Sequence, residues 1–100
     1  MKVNKFEITL PSNSLTISHS FYQDILKAEE IDRTDSTIRY KFYDHLLRIC
    51  FIGTEFKPQE HCNHVDKYDV PVPHFGVVLL AEEFHQLSER LIQAKVEFII

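Results

Sequence analysis

The sequence predicts an α+β domain on a mixed sheet, a βαβββ module followed by a partial βαβ repeat. Three patterns lead there. Phe6-Glu7-Ile8-Thr9-Leu10 alternates strictly between apolar and polar residues, as a half-buried strand does. Ile17, Phe21 and Ile25 recur at helical spacing, as do Phe84, Leu87 and Leu91 further on. Between these helices lie the β-rich runs STIRYKFY and HLLRICFI, joined at Tyr43-Asp44-His45 in the manner of a hairpin.

In chain order, the first strand ends at Pro11, and Ser14 is placed to cap the first helix, which should stop near Lys27. AEEIDRT supplies a short strand before the hairpin. Residues 53–70 hold the turn formers Gly53, Pro58 and Asn63 without sustained periodicity and are expected to be a long loop. Pro71 and Pro73 bias Val70 and Val72 towards extended geometry, delivering His74 into a strand HFGVVL. Glu82 and Glu83 then sit near a helix start, where the dipole favours negative charge; the helix runs to about Ala94, and VEFII forms the closing strand. The expected organisation is one domain over 1–100: module one at about 5–52, the loop at 53–70, and a partial module two at 71–100.

The chain has 100 residues, 44% of them hydrophobic and 26% charged, with a formal charge of -4. An acidic balance does not suit a phosphate backbone, so nucleic acid is not the expected partner. MKVNKFEITL lacks a signal-peptide h-region, and no apolar run reaches the roughly 18 residues a membrane span needs, which points to a cytoplasmic protein. Cys50 lies in an apolar run and Cys62 in a polar one, so they make no disulfide framework. With Gly53 and Gly76 the sole glycines, phosphate-cradling and dinucleotide-binding loops are excluded.

Alternation assigns faces. If Phe6, Ile8 and Leu10 meet the helices, Glu7 and Thr9 face the other way; the same rule sends Arg39, Lys41, Arg48 and Cys50 to that opposite face, and His74 with Gly76. A carboxylate and an imidazole suit Mn, Fe, Ni or Zn, yet two ligands do not hold an ion firmly, and a hydrogen-bonded polar pair fits Glu7 and His74 equally. The cationic lining beside Glu7 favours ion pairing or an anionic ligand over a metal. Cys50 reads as a reactive thiol or a small buried hydrophobe. His61, Cys62 and His64 have chelating spacing without a second pair, and a solvated loop accounts for them.

FYQDIL at 21–26, DVPVPHFGVVL at 69–79 and the helix FHQLSERLIQAKVEF resemble the vicinal oxygen chelate superfamily of glyoxalases, bleomycin-resistance proteins and extradiol dioxygenases, closest to small bacterial glyoxalase-like proteins. The resemblance implies two βαβββ modules forming a bowl around a divalent metal. It places His74 at the second ligand position and Glu7 where the family pattern has the first histidine. The third ligand would lie beyond Ile100, on strands that would follow VEFII, so the resemblance implies C-terminal truncation, with the sheet completed by strand sliding, a second protomer or further chain. Lys27 and Lys95 stand where such proteins place helix-ending glycines. The expected protein is a divergent small-molecule-binding homodimer with Thr9, Arg39, Lys41, Arg48 and Cys50 around the ligand. The alternatives are a metal-dependent glyoxalase- or dioxygenase-type enzyme, with Glu7 and His74 as metal ligands and a site completed by a partner chain, and a pure assembly module.

Overall fold

The computed structural model describes residues 5–57, 62–65, 68–71 and 75–97, with 62–65 and 68–71 as backbone alone. The chain divides into two compact units, Met1–Phe56 and Lys57–Ile100.

The first unit is the βαβββ module. Strand β1 (Glu7–Ser12) leads into helix α1 (Leu15–His19), which continues as a π-helical stretch over Ser20–Ile25; strands β2 (Glu29–Arg33), β3 (Thr37–Phe42) and β4 (His45–Phe51) follow. They form one mixed sheet in the order β1-β4-β3-β2, with β1 parallel to β4 and the other pairs antiparallel. Ser14 caps α1 as its sequence position suggests: its backbone is extended and its Oγ accepts the Ile17 N–H at 3.2 Å. Tyr43 and Asp44 join β3 to β4 with φ of 47° and 65°, the left-handed pair that a two-residue hairpin loop of matching twist requires.

One sheet face carries the core. Leu10, Ile38, Tyr40, Phe42, Leu47 and Ile49 alternate with polar residues along their strands and are buried, joined by Ala28 just after the helix. Ser12 is the buried polar residue of this set, and its Oγ satisfies itself against Ser18 Oγ at 2.7 Å and the Ser14 N–H at 3.0 Å.

In the second unit the expected long loop is corrected. Within 53–70 the backbone makes an antiparallel ladder, β5 (Cys62–Val65) against β6 (Tyr68–Pro71), in the register Cys62↔Pro71 to Val65↔Tyr68. Val65, Tyr68 and Val70 are good strand formers; Asn63 and His64 hid that pattern by breaking the apolar alternation. Of the expected strand HFGVVL, His74 lies outside the described residues and 75–79 have no regular secondary structure. An extended segment becomes a strand only when a neighbour takes its backbone N–H and C=O groups, and no strand among the described residues pairs with them. Helix α2 (Ala81–Gln93) carries Glu82 and Glu83 in its first turn and ends at Ala94, as expected. Of the closing VEFII, residues 96–97 have no regular secondary structure and 98–100 lie outside the described residues.

Both helices end at a left-handed lysine, Lys27 at φ 62° and Lys95 at φ 59°. The strain of αL for a residue with a Cβ argues against such an ending. Backbone bonding outweighs it: the Lys95 N–H reaches Ile92 O and the Val96 N–H reaches Leu91 O, both at 3.0 Å, which is the Schellman pattern. At the first helix the ladder has already widened to five-residue steps, Leu26 N–H to Phe21 O at 3.0 Å, and Ala28 N–H closes on Tyr22 O at 2.9 Å.

Candidate ligand-binding face

The face opposite the core is where the sequence placed its charged residues. In-register neighbours in a sheet point to the same side, and Thr9, Arg48, Arg39 and Asp32 fall in one row across β1, β4, β3 and β2. Leu46, Lys41 and Glu29 form the next row with Glu7, and Pro11, Cys50 and Thr37 the row beyond. The structure therefore brings Glu7, Thr9, Arg39, Lys41, Arg48 and Cys50 to one surface. His74 lies outside the described residues, as does His61; the side chains of Cys62 and His64 are not described.

Arg39 and Arg48 oppose each other directly, an arrangement that is repulsive unless an anion intervenes. Glu7 supplies one: its Oε1 stands 3.4 Å from both Arg39 Nη1 and Arg48 Nη2. Asp32 Oδ1 accepts a hydrogen bond from Arg39 Nε at 3.1 Å. Arg48 Nε, shielded from solvent, finds no acceptor among the described residues. Lys41 turns away from this group, its Nζ 3.5 Å from Asp44 Oδ1. Cys50 Sγ lies 3.9 Å from the Phe51 carbonyl.

Beside the arginines is an open cleft of about 330 Å³ lined by Asp32, Arg33, Thr34, Thr37, Arg39 and Arg48. Its wall at the β2–β3 turn is fixed by Thr34, whose Oγ1 accepts the Ser36 N–H at 3.3 Å and the Thr37 N–H at 3.1 Å and lies 2.7 Å from Thr37 Oγ1. Asp32, Arg33, Thr34 and Thr37 were not among the sequence-derived site residues. Uninterrupted pairing from Glu30↔Tyr40 would set Ile31 against Arg39 and Asp32 against Ile38, but an irregularity between Glu30 and Asp32 shifts the register and pairs Asp32 with Arg39.

A second polar group sits at the helix side of the sheet. Tyr40, fully buried, shares a 2.8 Å hydrogen bond with His19 Nδ1, and Glu30 Oε1 lies 3.8 Å from the same nitrogen. Burial foremost, with the negative Glu30 adding to it, pushes the Tyr40 phenol up to about 12, and burial also raises Tyr22. Arg33 hydrogen-bonds both oxygens of Glu30, which holds that carboxyl below its usual range. This cluster escaped sequence reading because Tyr40 sits in the apolar alternation and His19 on a helix, where neither stands out.

No family model and no curated protein sequence matches the chain. Solved structures do. A glyoxalase/bleomycin resistance protein/dioxygenase from Alicyclobacillus acidocaldarius superposes with a TM-score of 0.63 at 17% identity, covering 93% of this chain and 64% of that one. The fosfomycin resistance protein FosX from Listeria monocytogenes gives 0.63 at 22% identity, over 91% and 64%. A glyoxalase family protein from Bacillus anthracis gives 0.62 at 15%, over 97% and 72%. The fold is that of the vicinal oxygen chelate proteins. The chain spans about 64% of the length of the first two structures, a partial version of the vicinal oxygen chelate architecture.

A FosX variant has been solved with Mn(II) and a dihydroxypropylphosphonic acid. In this chain Glu7 is engaged by two guanidiniums, and among the described residues no group of three His, Cys, Asp or Glu side chains could hold a metal ion. The described donor set does not fit a metal centre. Nor is any helix among the described residues long and apolar enough to cross a membrane.

Proposed function

We propose that this chain is a divergent glyoxalase/bleomycin-resistance-like protein that binds a small anionic organic molecule on its open sheet face and works as a homodimer. The observation that carries the reading is the opposed pair Arg39 and Arg48, which share a single carboxylate oxygen at 3.4 Å. Glu7 and Asp32 balance the two guanidiniums in charge, but both Glu7 contacts are long and Arg48 Nε has no acceptor among the described residues, so the pair retains donor capacity for a ligand carboxylate, phosphate or phosphonate. Thr9 and Lys41 extend the face on either side, and Cys50 borders it. Here the face works through binding and orientation alone, with no covalent step assigned to Cys50.

The test is a thermal-shift panel of small carboxylates, phosphates and phosphonates, each beside an uncharged analogue of the same shape, with mass in solution measured in parallel. Stabilisation by the anions and not by their neutral counterparts, in a protein of twice the chain mass, is the expected result. Equal responses to charged and neutral compounds would remove the anion reading, and a monomeric mass at every concentration would remove the homodimer.

A second reading is favoured by the Mn(II) complex of the FosX neighbour. There Glu7 and His74 are metal ligands, a partner chain supplies a third, and the activity is of the glyoxalase or dioxygenase kind. Calorimetric titration with Mn, Fe(II), Ni and Zn distinguishes it. Stoichiometric binding in the native chain that disappears in His74→Ala, with folding intact, would establish this reading; the anion reading predicts no tight metal binding in either.

A further inference from the structure

We infer that the cleft at the β2–β3 turn is a carboxylate subsite in which Arg48 is the principal donor and the Thr34–Thr37 turn the wall, with Glu7 occupying the arginines until a ligand arrives. The inference rests on the proposed anion-binding reading and assigns it a location and a chemical class.

The cleft-lining residues include three arginines, Arg33, Arg39 and Arg48, and one acidic residue, Asp32, with the Arg33 guanidinium turned to Glu30. The neutralising Glu30 and Glu7 lie outside that lining. The cations differ in what they have left to give. Arg33 spends its Nε and Nη2 on Glu30, and Arg39 spends Nε on Asp32 and Nη1 on Glu7. Arg48 has an ion pair at Nη2 and an Nε without an acceptor among the described residues, although its side chain is 40% exposed and has room to turn. An unmet N–H shielded from water is costly, so any ligand that satisfies it recovers that cost.

A guanidinium edge pairs with a carboxylate or a tetrahedral oxyanion alike, and the group already held at Arg48 Nη2, the Glu7 carboxylate, points to the former. Nε–H and the adjacent Nη2–H form the side-on edge of a guanidinium, which meets the two oxygens of a carboxylate with parallel hydrogen bonds. The hydroxyls of Thr34 and Thr37, 2.7 Å apart on the cleft wall, can serve a further polar substituent. Glu7 presents the same chemical group from within the chain, at a distance of 3.4 Å that an incoming carboxylate can improve upon.

Titration of the full chain with sodium benzoate, benzamide and inorganic phosphate, followed residue by residue in two-dimensional amide NMR spectra, tests this. Benzoate is expected to bind more tightly than phosphate, to shift the amides of Thr34, Thr37 and Arg48, and to leave benzamide without effect. Arg48→Lys keeps the charge and removes the fork, and should weaken benzoate at least tenfold; Thr37→Val keeps the strand and should leave the carboxylate anchor in place, weakening binding less than threefold. Glu7→Gln removes the internal competitor and should tighten benzoate several-fold. Folding of each variant is read from the same spectra. If benzoate binds but its shifts centre on Thr9 and Lys41, and Arg48→Lys binds as the native chain does, the subsite is overturned while the anion reading stands. Weaker benzoate binding in a folded Glu7→Gln overturns the competitor role. If neither benzoate nor phosphate binds, the anion reading falls and the subsite with it.

Discussion

Tyr40 shows how one residue joins core and polar chemistry. Its ring lies in the apolar alternation of β3 and its hydroxyl would be an orphan there without His19 Nδ1 at 2.8 Å. Tyr40→Phe should cost about 1 kcal/mol in a denaturant melt, because His19 is partly exposed and water can replace the lost partner. With its acidity weakened to about 12, the folded chain holds the phenolic proton more tightly than the unfolded one. Stability should therefore be intact below pH 10 and fall as pH rises through 10 towards 12, and Tyr40→Phe should flatten that limb. Glu30 acts at the other end of the scale. Its carboxyl is lowered below 4.5 by Arg33, so its contribution is present above that pH and lost as the solution becomes more acidic. An acid melt of Glu30→Gln that matched the native limb would show that this pair contributes nothing.

At the scale of elements, the lysine helix endings stand out. Lys27 and Lys95 occupy left-handed backbone that glycine adopts freely. Lys27→Gly and Lys95→Gly should each raise stability by about 0.5–1 kcal/mol, the relief of αL strain less the entropy a glycine adds to the unfolded chain. Loss of stability in either would mean that the lysine stem packs usefully where it stands. The sheet's edges differ in kind. β2 carries Glu29, Glu30, Asp32 and Arg33 with a register irregularity, which blunts it against further pairing, whereas β1 presents Pro11 as its one residue without a donor. If a homodimer forms by strand pairing, β1 is thus the better edge, and a charged substitution at Thr9 would spare it because that side chain points off the sheet face.

For the whole molecule, the expected ligand response is electrostatic and should depend on salt. Glu7 is 34% exposed and Arg48 40%, so ions screen the face in part. The anion-induced rise in melting temperature should shrink as sodium chloride goes from about 0.02 M to 0.5 M. A gain independent of salt would point to apolar burial as the source of affinity instead. The core that supports the face is small and concentrated in Ile38, Tyr40 and Ile49. Ile49→Ala should cost about 2–5 kcal/mol, enough to threaten a unit of this size, with a circular-dichroism melt as the check.

The sequence by itself determined the α+β class, the βαβββ order, the Ser14 cap, a hairpin at Tyr43-Asp44-His45, of which the structure gives His45 to β4, and the side of the sheet on which Glu7, Arg39 and Arg48 lie. Each of these follows from periodicity or local backbone chemistry, which a chain carries without knowing its neighbours. Tertiary structure decided the rest. Register alone set Arg39 opposite Arg48, and a shift between Glu30 and Asp32 alone brought Asp32 to Arg39 and made a cleft at the β2–β3 turn. The pairing of β5 with β6 and the irregular 75–80 likewise depended on which backbone found a partner, since a strand is a property of two segments and cannot be read from either one.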